Sequence, residues 1–176
     1  DGNHLAAWAK EWETRDTLRV WNIETGQIVV SINHRFNAAS FAAGGRVLVA
    51  SIERGNDHEI RFYDLAHPDR APHRVQGKNF SDHLAVSPDG GLVAASTWNG
   101  QVRLFDPGKG ELIGTLDGHL NAAFGLAFSA DGRRLISASG GRDAVKLWDV
   151  STRQELLTLG GTGSVLSAAR WSADGD

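Results

Sequence analysis

Seven histidines, at positions 4, 34, 58, 67, 73, 83 and 119, are the only candidate metal ligands besides carboxylates, because the chain has no cysteine. The tightest groupings are Asp57-His58-Glu59 and the pair His67 and His73. Neither has a third ligand at zinc-site spacing, so both read as solvated loop histidines. Nucleophilic catalysis needs a hydroxyl with an imidazole and a carboxylate in reach. The serines fall in turns and at recurring strand positions, and no Gly-x-Ser-x-Gly elbow occurs. Absence of cysteine removes thiolate chemistry and disulfides as well. Gly160-Gly161-Thr162-Gly163-Ser164 has the composition of a phosphate loop, but such a loop leads into a helix and usually carries a lysine. A strand pattern follows here. Pro107-Gly108-Lys109-Gly110 reads as a hairpin turn, and Asn79-Phe80-Ser81 matches a glycosylation acceptor only formally. No catalytic residue, metal or cofactor is expected.

Binding is the better-supported chemistry. The 18 basic and 21 acidic residues give a net charge of −3, which carries no footprint for nucleic acid. No 18-residue apolar run suits a membrane span and no basic-then-apolar leader is present, so a cytoplasmic setting is expected. Of six tryptophans, Trp21, Trp148 and Trp171 sit at recurring strand positions and Trp8 on an apolar run, where a core role is expected. Trp12 and Trp98 fall in connections, and exposed tryptophan is enriched in interface hot spots.

The elements that position these residues follow from a repeat. The chain has 21 glycines in 176 residues against 4 prolines, well above the usual ~7% for glycine. Turn dipeptides recur at Asp1-Gly2, Gly44-Gly45, Asp89-Gly90, Asp131-Gly132 and Asp174-Gly175, 42 to 45 residues apart. An aromatic followed by Asp or Asn recurs at Trp21, Tyr63, Phe105 and Trp148, 42 or 43 residues apart. Within each period, runs such as LRVWNI, IRFYDL, VRLFD and VKLWDV alternate at the period of two that a strand requires. Each period holds four short strands joined by Gly, Asp, Asn and Ser turns, with no helical pattern. Small residues dominate the strand before the Asp-Gly turn, as the innermost strand of a crowded radial array would need.

Gly118-His119, Ser129-Ala130-Asp131-Gly132, LISAS and VKLWD together resemble a repeat of the WD-repeat β-propeller family. The resemblance covers essentially the whole chain and weakens toward its start. It implies an all-β propeller of four-stranded antiparallel blades in permuted register. The expected units are 1–32 (lacking its first strand), 33–76, 77–117 and 118–160, with 161–176 as the first strand of a next blade or a closing strand. The chain begins and ends near Asp-Gly turns and lacks methionine, which reads as an excised or processed piece. Three closures fit: further blades of a longer chain, homodimerisation into an eight-bladed ring, or pairing of 165–171 with 4–9.

The family's structural hydrogen-bond network, carried over by resemblance, runs through a histidine, a strand Ser or Thr, a turn Asp and the strand Trp. His119, Ser137 and Trp148 match in the last full repeat. Asp143 lies one position too close to the tryptophan, with Arg142 in the expected place. The repeat before it offers Lys78, Asn99 and Phe105, and the second offers His34, Asp57 and Tyr63. No repeat has the full set, so apolar packing is expected to dominate. The same topology gathers Trp12, Trp98, Phe36, Phe80, Arg15, Arg35, Arg54 and Arg142 on one face of the disc. Aromatics with arginines on such a face imply a non-catalytic scaffold that binds a protein or peptide, in the style of bacterial propellers joined to signalling modules. Two rivals are a ligand-binding or hydrolytic propeller with Asp82-His83 at its central channel, and a unit that self-assembles into a ring.

Overall fold

The structure, a computed structural model, describes residues 2–9, 17–54, 57–77 and 80–172. Fifteen strands form four antiparallel sheets among them. The first blade is β1 (His4–Ala9), β2 (Thr17–Asn22) and β3 (Ile28–Asn33). The second is β4 (Phe36–Ala42), β5 (Val47–Arg54), β6 (Asp57–Asp64) and β7 (His73–Gly77). The third is β8 (Phe80–Val86), β9 (Val93–Thr97), β10 (Val102–Asp106) and β11 (Glu111–Leu116). The fourth is β12 (Ala123–Phe128), β13 (Arg134–Ser139), β14 (Val145–Asp149) and β15 (Glu155–Leu159). Strands pair in chain order within each blade, and β8 lies against both β4 and β12 without a ladder. That adjacency puts β4, β8 and β12 innermost.

The Asp-Gly hairpins have a local cause. Ser87 Oγ donates to Asp89 Oδ1 at 2.5 Å, and Asp89 Oδ1 accepts the Gly91 amide at 2.9 Å. Ser129 and Asp131 repeat the arrangement, with the Arg133 amide on Asp131 at 3.0 Å. These side chains satisfy the turn amides that no strand partner can reach. At Gly90, φ is +73° and a Cβ would lie 2.9 Å from the Ala43 amide nitrogen, so neither the backbone nor the neighbouring blade admits a side chain.

Both faces of the middle blades are covered, so alternation along a strand separates two cores rather than core from water. Leu48, Ala50 and Ile52 of β5 pack with Leu18, Val20 and Ile32 of the first blade. Val49, Ile60 and Phe62 turn the other way, onto Phe80, Val93 and Phe105 of the third. Ala94, Leu104 and Leu116 then meet Leu135 and Trp148 of the fourth. Each fully buried side chain of this size contributes about 1.5–3 kcal/mol. The outermost faces have no such cover: Leu5 is 55% exposed, and Leu157 and Leu159 are 48% and 52% exposed. Trp8 shares the inner face of β1 with Ala6, opposite Leu18, yet it is 61% exposed and so is not the core residue expected of it.

Residues 160–172 form no strand. Val165 makes one isolated bridge to Gly140, the Leu166 amide donates to Ser139 O at 3.1 Å, and Trp171 Nε1 donates to Ala127 O at 3.0 Å. The segment runs beside β12, where the next inner strand would stand. All three bonds run to the fourth blade. No helix among them is long and apolar enough to cross a membrane.

Candidate interaction surface

One end of the disc collects the blade-to-blade connections and those between second and third strands. The β9–β10 connection carries Trp98, 47% exposed, on a turn held from beneath. Thr97 Oγ1 donates to Gln101 O at 2.7 Å and accepts the Gln101 amide at 2.9 Å. Gly100 has φ +83°, and a Cβ there would lie 2.3 Å from His119 O and 2.7 Å from Asn121 O. Only glycine lets this turn sit on the β11–β12 connection. Gln101 Nε2 donates to Asp117 Oδ1 at 2.6 Å and Asn121 Nδ2 to Gly140 O at 3.0 Å, so three connections are tied together.

Aromatic rings continue the surface inward. Trp98 meets Phe124 of β12 nearly perpendicularly, with centroids 5.8 Å apart, and Phe124 meets His83 of β8 at 6.1 Å and 90°. Leu120, in the β11–β12 connection at the same end, is 83% exposed. The result is an aromatic and aliphatic patch on a pre-ordered base, spanning the third and fourth blades.

The base is anchored by a buried chain of hydrogen bonds. Trp148 Nε1 donates to Ser137 Oγ at 2.7 Å, and Ser137 Oγ lies 2.7 Å from His119 Nε2. Since the Asp143 carboxylate and carbonyl can only accept, Nδ1 carries the imidazole proton toward Oδ2 at 3.2 Å and O at 3.1 Å, and the neutral ring's Nε2 accepts the Ser137 hydroxyl proton. Burial pushes the His119 pKa down, against the upward pull of Asp143, which suits the neutral ring this chain needs. At Asp143 burial pushes the carboxyl up, but the Leu120 amide at 2.9 Å and its own amide outweigh it and hold it below the usual range.

Asp143 thus completes a set that residue counting along the chain leaves incomplete. Gly141, with φ +102°, reverses the β13–β14 connection within Ser139–Ala144 and brings the carboxylate back over His119. Arg142, in the position expected for the Asp, is exposed at the same end.

The second blade is pinned differently. Register puts Ala50 where the fourth blade has Ser137, and Tyr63 where it has Trp148. Ala50 has no hydroxyl to relay a bond from Tyr63 toward His34, which lies in the bend before β4. Instead Arg61 pairs with Glu59 and donates to the Tyr63 hydroxyl at 3.4 Å, with Glu59 and Arg61 both buried between the first two blades. Asp57 opens β6 opposite Arg54, the last residue of β5.

Two expected surface residues prove to be core. Phe36 is buried and meets Trp8 edge-on at 6.2 Å. Phe80 is fully buried, 6.1 Å from Phe105 and 5.0 Å beneath the Arg103 guanidinium. Each begins an inner strand rather than ending a connection, and the pleat turns its ring between blades. Arg35 is exposed between β3 and β4. Trp12 and Arg15 lie outside the described residues. Leu120 and Phe124 were not expected at the surface; the apolar Leu directly after His119, in a connection, was the available signal. Among the described residues no group of three or more His, Asp or Glu could hold a metal.

Residues 77–106 and 110–149 match the family model described as "WD domain, G-beta repeat". The chain belongs to the WD-repeat family. The WD repeat-containing protein 1 of Xenopus tropicalis is 37% identical over 83 residues, covering 46% of this chain and 14% of that protein. A WD repeat-containing protein of Synechocystis, sll1491, is 31% identical over 120 residues, covering 68% of this chain and 34% of that protein. This WD-repeat chain therefore spans about a third or less of these two relatives. A chain in the crystal structure of the mitotic checkpoint complex superposes with a TM-score of 0.72 at 21% identity, covering 97% of this chain and 52% of that one. The fold is that of a WD-repeat propeller.

Proposed function

We infer that this chain is a non-catalytic scaffold that binds a protein or peptide through the loop end built around Trp98, Leu120 and Phe124. The observation that carries the reading is a half-exposed tryptophan on a turn already fixed by the β11–β12 connection. An anchor of this kind loses little conformational freedom on binding, which is how rigid aromatic hot spots gain affinity. A patch that mixes rings, an aliphatic side chain and the exposed Arg142 suits a peptide segment with both apolar and polar groups. Membership of the WD-repeat family, and the likeness to a chain of the mitotic checkpoint complex, support assembly with other proteins as the general role.

The test is a display selection of peptides against the chain, repeated against Trp98→Ala and Leu120→Ser. Peptides enriched on the parent should bind each variant about tenfold or more weakly, as expected of a hot-spot residue. Thermal unfolding of both variants should stay close to that of the parent. Peptides that bind all three proteins equally would place the recognition surface elsewhere.

A further inference from the structure

The opposite end of the disc carries the Asp-Gly hairpins and the connections between third and fourth strands. There a cavity of about 450 Å³ opens between the second and third blades. Its floor is apolar, formed by the buried Val47 and Phe62. Its rim carries Arg46, Arg70, His67 and His73 around one carboxylate, Asp64. We propose that this cavity binds a phosphate group presented on a short apolar peptide segment.

The placement of each cation has a reason in the chain. Arg46 Nε donates to Ala43 O at 3.2 Å, which sets the direction of its guanidinium. Arg70 is held by its amide on His67 O at 3.0 Å in the β6–β7 turn. His73 lies 6.4 Å from Phe62, and Gly110 makes room for it: a Cβ there would fall 2.2 Å from the ring. The lone carboxylate is already engaged, since Asp64 accepts His67 Nδ1 at 2.8 Å and the Ala66 amide at 3.0 Å. The hydrogen bond from His67 is the main reason its carboxyl stays below the ordinary range, so the acid remains ionised and matched to a donor on its own turn.

Two guanidiniums are then the charges that an incoming group meets. Guanidinium forks pair with carboxylate and phosphate oxygens by two parallel bonds, and a cavity of this size lies within the range of small-ligand sites. The apolar floor favours an anion attached to aliphatic matter over a bare ion. The histidines that looked like isolated loop residues in the sequence converge here, six residues apart across one turn.

The chain is titrated at constant pH and ionic strength with an acetylated, amidated Leu-phosphoserine-Leu peptide, with its unphosphorylated form, and with inorganic phosphate. The imidazole NMR signals of His67 and His73 are followed. The phosphopeptide should give saturable shifts and the unphosphorylated peptide none. Arg46→Ala and Arg70→Ala should each weaken binding about tenfold, the loss of one charge-assisted bond. Arg46→Lys should fall between, and unfolding curves establish that each variant is folded. Inorganic phosphate binding as tightly as the phosphopeptide would overturn the peptide source and leave a free anion as the ligand. Absence of saturable shifts with both, or parental affinity in folded Arg70→Ala, would overturn the site.

Discussion

The second and fourth blades occupy equivalent places in the repeat and solve the same problem with different chemistry. In the fourth, Trp148, Ser137, His119 and Asp143 pass hydrogen bonds through neutral groups to one carboxylate at the protein's loop end. In the second, Arg61 and Glu59 bring full charges into the seam with the first blade. A neutral chain needs four residues in register and loses its purpose when the middle member goes. An ion pair needs two residues, but each is a liability without the other. The fourth blade also buries a cation at the register position of Arg61, since Lys146 pairs there with Glu155 at 2.8 Å, so what the second blade lacks is the neutral chain.

The largest loss of stability is expected at Arg61. Arg61→Met should cost about 3–5 kcal/mol in denaturant unfolding, because it breaks a buried ion pair by removing one partner. Adding Glu59→Leu should recover all of that loss or more, since well-packed apolar pairs commonly match or exceed buried ion pairs. If the double variant is as unstable as the single one, the two blades are not alternative solutions. Ser137→Ala should cost about 2–3 kcal/mol, since the Trp148 N–H and His119 Nε2 lose their shared partner. No neighbouring change rescues it, in contrast to the second blade.

A smaller effect separates the blades by pH. His119 is held neutral with a depressed pKa, so the unfolded chain takes up a proton near the ordinary histidine value of 6.5 while the folded chain does not. Stability should therefore fall as pH drops through about 6.5, by at most about 1.4 kcal/mol per unit. The dependence should shrink in His119→Gln and persist in the Arg61→Met/Glu59→Leu double variant. Smallest of all, Arg103→Met removes the cation above Phe80 in the third blade and should cost about 0.5–1 kcal/mol.

The propeller was legible because its markers recur: an Asp-Gly turn and an aromatic-Asp pair keep register even where other positions drift. The hydrogen-bond chain was legible at His119, Ser137 and Trp148 but not at Asp143, because spacing along a chain does not measure a turn that Gly141 reverses at positive φ. Glu59 and Arg61 alternate with Ile60 and Phe62 like the wet side of a half-buried strand. A blade has a neighbour on each side, so that alternation hides a buried charge pair. Phe36 and Phe80 were visible as aromatics at the boundary of a connection, and one residue of strand start decided that they face inward. Trp98 stood out as a lone tryptophan in a turn, whereas Phe124 and His83, which complete its patch, come from two inner strands remote in sequence.

Gly100 rests on the carbonyls of His119 and Asn121, so the exposed Trp98 and the buried imidazole are separated by little more than two peptide groups. Occupancy outside and order inside then become linked quantities. A partner that grips the tryptophan favours only conformers in which the β11–β12 connection is seated, and so raises the free energy of opening the last blade. Amide exchange at residues 119–121 would slow as the outer patch fills, making this connection a gauge of binding read from inside the protein.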